Sequence, residues 1–215
     1  MGLPADSARR PWRIPALLVP LLVFAVAFAL SLTKASTTAF NPDESRWISR
    51  AHYLAALADP FGPVWRDSYR TRGQPPVGSY LTGLGLVLQG RDLDTNGPWN
   101  FSWHGDEGWR KNIDRGNMPD PADLMAARRF SGFLIGLSAL ALWATGRTIA
   151  GRACGATAGL AFAIHPFSSY LGSLATSDAA FTLLVALATL AAARLALRPN
   201  LWRGPLVGAL LGLGA

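Results

Sequence analysis

Apolar residues in this chain fall into long uninterrupted blocks, not into stripes that alternate with polar positions. The first block, Ile14–Leu32, carries no charge and is close to the ~20 residues that cross a bilayer as a helix. Further blocks follow at 127–149, 153–174 and 178–197, and another begins at 204 and runs to 215. Lipid offers no partner to open backbone groups, so helices are the predicted conformation. The predicted fold class is all-α: a polytopic membrane helix bundle. Its parts are a cytoplasmic N-terminus (1–13), four spans, and the start of a fifth span (204–215) expected to be truncated at Ala215. A large outer loop (33–126) carries juxtamembrane helices. The run Arg9–Arg13 followed by an apolar stretch also has the form of a secretory signal, but the stretch is too long and Thr37-Thr38-Ala39 is a poor cleavage site. A retained first span is therefore expected.

Within the outer loop the pattern changes. Trp47, Ile48, Ala51, Leu54, Ala55 and Ala58 recur at helical spacing, with Ser45, Ser49 and His52 opposite. This predicts an amphipathic helix over 43–58 lying in the membrane interface. A second apolar stretch, Val77–Leu88, is too short to span and is expected to be re-entrant or juxtamembrane. The remainder, Gly90–Pro121, is rich in turn formers, and its Trp99, Trp103 and Trp109 are expected as interface anchors. Small residues four apart (Gly132 and Gly136; Gly151, Gly155 and Gly159) predict close helix approach.

Composition agrees with a membrane protein: 50% of residues are hydrophobic and 15% charged. The charge distribution orients it. With the N-terminus inside, the cytoplasmic segments hold Arg9, Arg10, Arg13, Arg147, Arg152, Arg194, Arg198 and Arg203 against a single acid, Asp6, while the outer loop is nearly balanced. The net charge of +7 and the isoelectric point near 10.5 thus express positive-inside bias. No basic patch or stripe remains to suggest a nucleic-acid partner. Arg128 and Arg129, at an outer helix end, run against the bias. The single cysteine, Cys154, excludes an internal disulfide.

Candidate chemistry lies at the outer face. In Asn41-Pro42-Asp43-Glu44-Ser45-Arg46, Asn41 suits an N-cap, Pro42 the first helical position and Glu44 a capping box. The same stretch also fixes a carboxylate, Asp43 or Glu44, at the membrane surface. Asp178, where the fourth span begins, lies on the same side. It reads equally as a first-turn acid or as a functional one, carboxylates at a bilayer edge being costly. His52, His104 and His165 have no metal-site spacing. Asn100-Phe101-Ser102 has the pattern of a glycosylation sequon, which matters only in a secretory lumen.

The order of first span, Pro-Asp-Glu, interfacial helix, Pro-Pro pair and Asp178 helix resembles the protein O-mannosyltransferase group and the lipid A aminoarabinose transferases. Both belong to the C-type membrane glycosyltransferases. Asp43-Glu44-Ser45-Arg46 is similar to the Asp-Glu-Thr-Arg of the latter, and Gln74-Pro75-Pro76-Val77 to their Lys-Pro-Pro-Leu; Gln74 in place of lysine counts against aminoarabinose. The resemblance implies a multi-pass protein of the bacterial inner or plasma membrane. Such a protein transfers a sugar from a polyprenyl-phosphate carrier to a protein, lipid or glycan acceptor on the periplasmic or extracellular face. It further implies catalytic roles for Asp43, Glu44 and Asp178, contact of Arg46, Arg72 and Arg129 with the donor phosphate, and Gln74 and Tyr80 lining the acceptor or carrier. The partners expected are membrane lipid, the carrier-linked sugar and the acceptor. No resident cofactor is required, and a divalent metal is left open. It also implies that this chain is the N-terminal portion of a longer enzyme. The rival reading is a transporter or flippase that moves a lipid-linked substrate without chemistry.

Overall fold

The computed structural model describes residues 17–66 and 76–214. Arg72, Gln74 and the Arg9–Arg13 cluster lie outside the described residues. The described part is helical, with no strand among its residues: α1 (Leu18–Ala35), α2 (Pro42–Ser49), α3 (Tyr53–Ala56), a 3₁₀ turn (Pro63–Arg66), α4 (Pro76–Val87), α5 (Gly105–Asp114), α6 (Pro121–Ile164), α7 (Pro166–Gly172), α8 (Asp178–Leu197) and α9 (Arg203–Gly214). Helices α1, α6 and α8 are long and apolar enough to cross a membrane.

Helix α6 is two helices. Ala150 (φ −138°, ψ 22°) and Gly151 (φ 84°, ψ −169°) leave the helical region, and the chain folds back on itself there. A Cβ at Gly146 would stand 2.8 Å from the Cys154 carbonyl oxygen, and one at Gly155 would stand 2.7 Å from that of Trp143. Residues that a straight helix would hold far apart are thus in contact. Only glycine adopts the Gly151 conformation without strain, and only the lack of Cβ at Gly146 and Gly155 lets the two limbs touch at backbone distance. The limbs stay antiparallel along their whole length, since Gly172 of α7 reaches Ile135.

Several expectations change here. Gly151 makes the turn and is not part of a packing row; Gly155 and Gly159 do the packing, the latter against Trp143 and Val23. The first limb starts at Pro121, not 127. The third block, 153–174, is not one helix. It breaks at His165, whose backbone is extended and whose ring Nδ1 caps α7 by accepting from the Phe167 N–H, while Pro166 takes the first position; proline has no N–H to continue the ladder.

At one end of the bundle, which we call the loop end, α1 finishes, α6 starts and α7 hands over to α8. The Thr38 and Ser173 hydroxyls are 3.2 Å apart there. At the opposite, arginine end lie the Ala150–Gly151 turn and the α8–α9 connection, with Arg147, Arg152, Arg194, Arg198 and Arg203. The described Asp and Glu all fall in 43–123 or at Asp178, and so at the loop end. The spans pack through small residues, with Val23, Ala27, Ile135, Ala139, Ala163 and Ala179 at the centre.

The outer loop is folded onto this bundle by a second cluster, Ile48, Ala51, Leu86, Ala126, Ala127 and Ala175. It departs from the expected interfacial helix over 43–58. The segment breaks after Ser49, and its polar side is not exposed: Ser45 is fully buried and Ser49 nearly so. The reason is the segment 96–117, which closes over that side. Ser45 Oγ donates to the Asn117 carbonyl (2.6 Å) and accepts from the Trp99 backbone N–H (3.1 Å). Asn112, also fully buried, bonds Asn100 and Asn117. Trp99 is likewise buried, against Phe40 and Trp109, and is not an interface anchor. Helix α5 was not anticipated, although Asp106 and Glu107 in its first turn and the Glu107–Lys111 pair four apart are helix signals.

Candidate functional site

The site is organised by one buried ion pair. The capping box on α2 forms as the sequence predicts: Asn41 Oδ1 accepts from the Asp43 N–H, and Glu44 Oε2 accepts from the Asn41 N–H (3.0 and 2.9 Å). Glu44 goes further. It is fully buried, and its carboxylate takes a two-pronged contact from Arg128, Nε to Oε1 at 2.8 Å and Nη2 to Oε2 at 2.7 Å. Oε1 also accepts from the Ala175 N–H at 2.8 Å. Arg128 sends its remaining N–H groups to the carbonyls of Ala35, Thr38 and Ala39. All five guanidinium donors are thereby engaged, and the open carbonyls past the end of α1 are satisfied.

One pair therefore ties α2, the end of α1, the start of α6 and the α7–α8 connection into a single unit. Its low-dielectric surroundings strengthen each charge-assisted bond. Glu44 has four hydrogen bonds and no exposed face, so it positions the site and does not present a carboxylate to a ligand. Sequence reasoning passed over Arg128. Its one signal was an arginine on the wrong side of the positive-inside pattern.

Asp43, next in sequence, is exposed. It stands in the first turn of α2 on the side of Trp47, one helical turn on. The Trp47 ring touches Gly78 near the start of α4, and Gly78 in turn touches Ser177, where a Cβ on Gly78 would lie 2.8 Å from either. Asp178 follows Ser177 and opens α8. It is exposed, and its Oδ2 accepts from the Thr176 hydroxyl at 2.8 Å. Trp47 and Ser177 thus meet at the start of α4, and the helices that carry Asp43 and Asp178 both begin at the loop end. Beside Asp178, a cavity of about 100 Å³ opens between α4, α8 and α9, lined by Val77, Gly78, Phe181, Leu184 and Leu213. The lining of this slot is mixed, apolar side chains standing beside Ser177 and Asp178.

The other candidates are dispersed. Arg46 lies over the Phe101 ring (4.4 Å to the centroid) and donates from Nε to the Trp99 carbonyl, so it is held by the loop over α2. Arg129 is exposed on α6. Tyr80 is half-buried and meets Trp65 edge-on, in a row of rings that continues through Tyr53 to His52; burial raises its phenol above the ordinary value. Arg91 pairs with Asp123 and Asp120, fastening the loop to the start of α6.

Residues 122–215 match the dolichyl-phosphate-mannose-protein mannosyltransferase family. The match covers α6 to α9 and less than half of the chain. It includes Asp178 and Arg128 but neither Asp43 nor the outer loop. It agrees with the family resemblance carried by the motifs of the N-terminal part. No curated protein and no solved structure matches the chain significantly. The family match and the apolar helices together support an integral membrane protein of the glycosyltransferase type.

Proposed function

We propose that the chain serves a membrane glycosyltransferase that moves a sugar from a polyprenyl-phosphate carrier to an acceptor hydroxyl at the loop end of the bundle, on the non-cytoplasmic face. The acceptor belongs to a protein, a lipid or a glycan. The observation that carries this reading is Asp43: an exposed carboxylate on a helix turn fixed by the buried Glu44–Arg128 pair, at the same end as Asp178 and its slot.

The chemistry follows from these groups. Asp43 takes the proton of the acceptor hydroxyl as general base. The acceptor oxygen bonds to the anomeric carbon, and the bond from that carbon to the phosphate oxygen breaks. The electron pair leaves on the carrier phosphate, already a weak base that needs no acid. Cations offset the charge developing on the phosphate. Arg46 is the described candidate nearest Asp43 in the chain, Arg129 lies at the same end, and Arg72 remains a candidate from sequence. The Asp178 slot offers an apolar wall beside a carboxylate, suited to the first carrier units or to the sugar. The described acids all lie at one end, while the other end carries Arg147, Arg152, Arg194, Arg198 and Arg203 with no described acid, which favours the non-cytoplasmic face for this site.

The test is transfer of label. The full-length protein in membranes, supplied with labelled polyprenyl-phosphate sugars, is expected to yield labelled acceptor, and Asp43→Asn is expected to lower turnover by ~10²–10⁴-fold with carrier binding retained. Near-normal transfer by a well-folded Asp43→Asn protein refutes the base assignment. Movement of labelled carrier between leaflets without transfer establishes the transporter instead.

A further inference from the structure

At the arginine end, far from the acids, α6 just before its Ala150–Gly151 turn, the end of α8 and the start of α9 border an open cavity of about 530 Å³ lined by Thr148, Leu197, Arg194, Arg198 and Arg203. Three arginines line one space, with no described carboxylate at this end to neutralise them. Arg203 is partly committed: its Nη1 donates to the carbonyls of Arg194 (2.8 Å) and Arg198, which closes the end of α8. Arg194 and Arg198 are exposed.

A second space adjoins the first. Between α8 and α9 runs a groove of about 320 Å³ that shares Arg194 and Arg203 with the cavity and continues toward mid-membrane along Leu187, Leu190, Ala191, Leu206 and Leu210. Its lining beyond the arginines is wholly apolar. Leu201 and Trp202, 91% and 81% exposed, project from the α8–α9 connection beside the cavity. An exposed tryptophan there sets this level at the headgroup region.

We propose that these two spaces form one binding site for an anionic phospholipid, with the headgroup phosphate among Arg194, Arg198 and Arg203 and an acyl chain in the α8–α9 groove. Positive-inside topology explains arginines near this face, but neither their convergence on one cavity nor an apolar channel leading from it. Basic pockets between helices on the cytoplasmic side are suited to anionic headgroups. The site is separate from the proposed transfer site, so it binds a structural or regulatory lipid and not the reacting carrier. Occupancy ties α9 to α8, which α9 otherwise meets through few buried side chains.

The full-length protein in nanodiscs of phosphatidylcholine, with or without phosphatidylglycerol, provides the test. Retained lipid is read by native mass spectrometry, and affinity by titration of phosphatidylglycerol into protein in neutral detergent. Phosphatidylglycerol is expected to be retained over phosphatidylcholine. Arg194→Gln with Arg198→Gln is expected to weaken it about thirtyfold, from ~1 kcal/mol for each juxtamembrane arginine. Arg203 is kept because it closes α8. Leu206→Trp, at a half-exposed position of the groove lining, fills the groove at unchanged charge and is expected to weaken phosphatidylglycerol while leaving any binding of inorganic phosphate unchanged. Equal retention of neutral and anionic lipid, or no effect of the groove variant, overturns the proposal. Inorganic phosphate that saturates the cavity while phosphatidylglycerol does not compete assigns it to a soluble anion and overturns the lipid reading. If the glutamine variant fails to insert, the groove variant and the phosphate competition still decide.

Discussion

Arg128→Met removes the guanidinium that organises the loop end and keeps most of the side-chain volume. Two costs follow from the geometry. Glu44, fully buried, loses both contacts to Arg128 and keeps only the N–H groups of Asn41 and Ala175. The carbonyls of Ala35, Thr38 and Ala39 lose their donor. Removing one partner of a buried ion pair costs ~3–5 kcal/mol, chiefly because the other charge is left unpaired. At ~1.4 kcal/mol per decade the docked state of the loop is expected to lose a factor of about 10²–10³·⁵. The loss should be local, since the core of α1, α6 and α8 does not depend on the pair. The assay is limited proteolysis of the 36–120 segment in micelles, which follows the open population when reclosing is fast, alongside global unfolding. Cleavage in the loop should accelerate while the spans remain protected. In a Glu44→Gln background the same substitution should cost ~1–3 kcal/mol less, because no charge is then stranded. Unchanged loop cleavage in Arg128→Met, or strict additivity of the two substitutions, refutes the assignment of this pair as the clamp that positions Asp43.

Other consequences are separable. Gly151→Ala places a side chain at φ 84°, ψ −169° with open space around it, so backbone strain alone should cost ~1–3 kcal/mol by chemical denaturation in detergent. Ser45→Ala deletes the hydroxyl that bonds Asn117 and Trp99 and should loosen the 96–117 segment by ~1–3 kcal/mol, seen as faster amide exchange at Trp99. In α5, Lys111 at 2.9 Å holds the Glu107 carboxyl below its ordinary value. The resulting small stabilisation is present above the ordinary carboxylate pKa and is lost as pH falls through the lowered one. Lys111→Met should remove that acid dependence from the helicity of α5, lowering the helicity slightly at neutral pH and leaving it unchanged in acid, where Glu107 is protonated.

Local physics made much of this protein legible from its residues in order. A long apolar run with few charges has no alternative to a helix in lipid, so α1, the first limb of α6 and α8 are legible without partners, whereas the break of the 153–174 block at His165 is not. The capping box was visible because its bonds join residues two and three apart. Asp178 reads equally as a first-turn acid or a functional one, and it does open α8. Long-range pairing was not visible. Glu44 reads as a cap and a possible base, and only its approach to Arg128, 84 positions away, turns it into a buried clamp and leaves Asp43 as the exposed carboxylate. Ser45 and Ser49 read as a solvated face because helical spacing records which residues share a side, not what covers that side; the 96–117 segment covers it. Trp99 has the composition of an interface anchor and the burial of a core residue. The convergence of Arg194, Arg198 and Arg203 on one cavity likewise depends on how α8, α9 and the turn within α6 lie together. Covalent neighbours and the solvent settle which segments are helical, whereas burial and charge pairing between distant segments settle which side chains remain free to act.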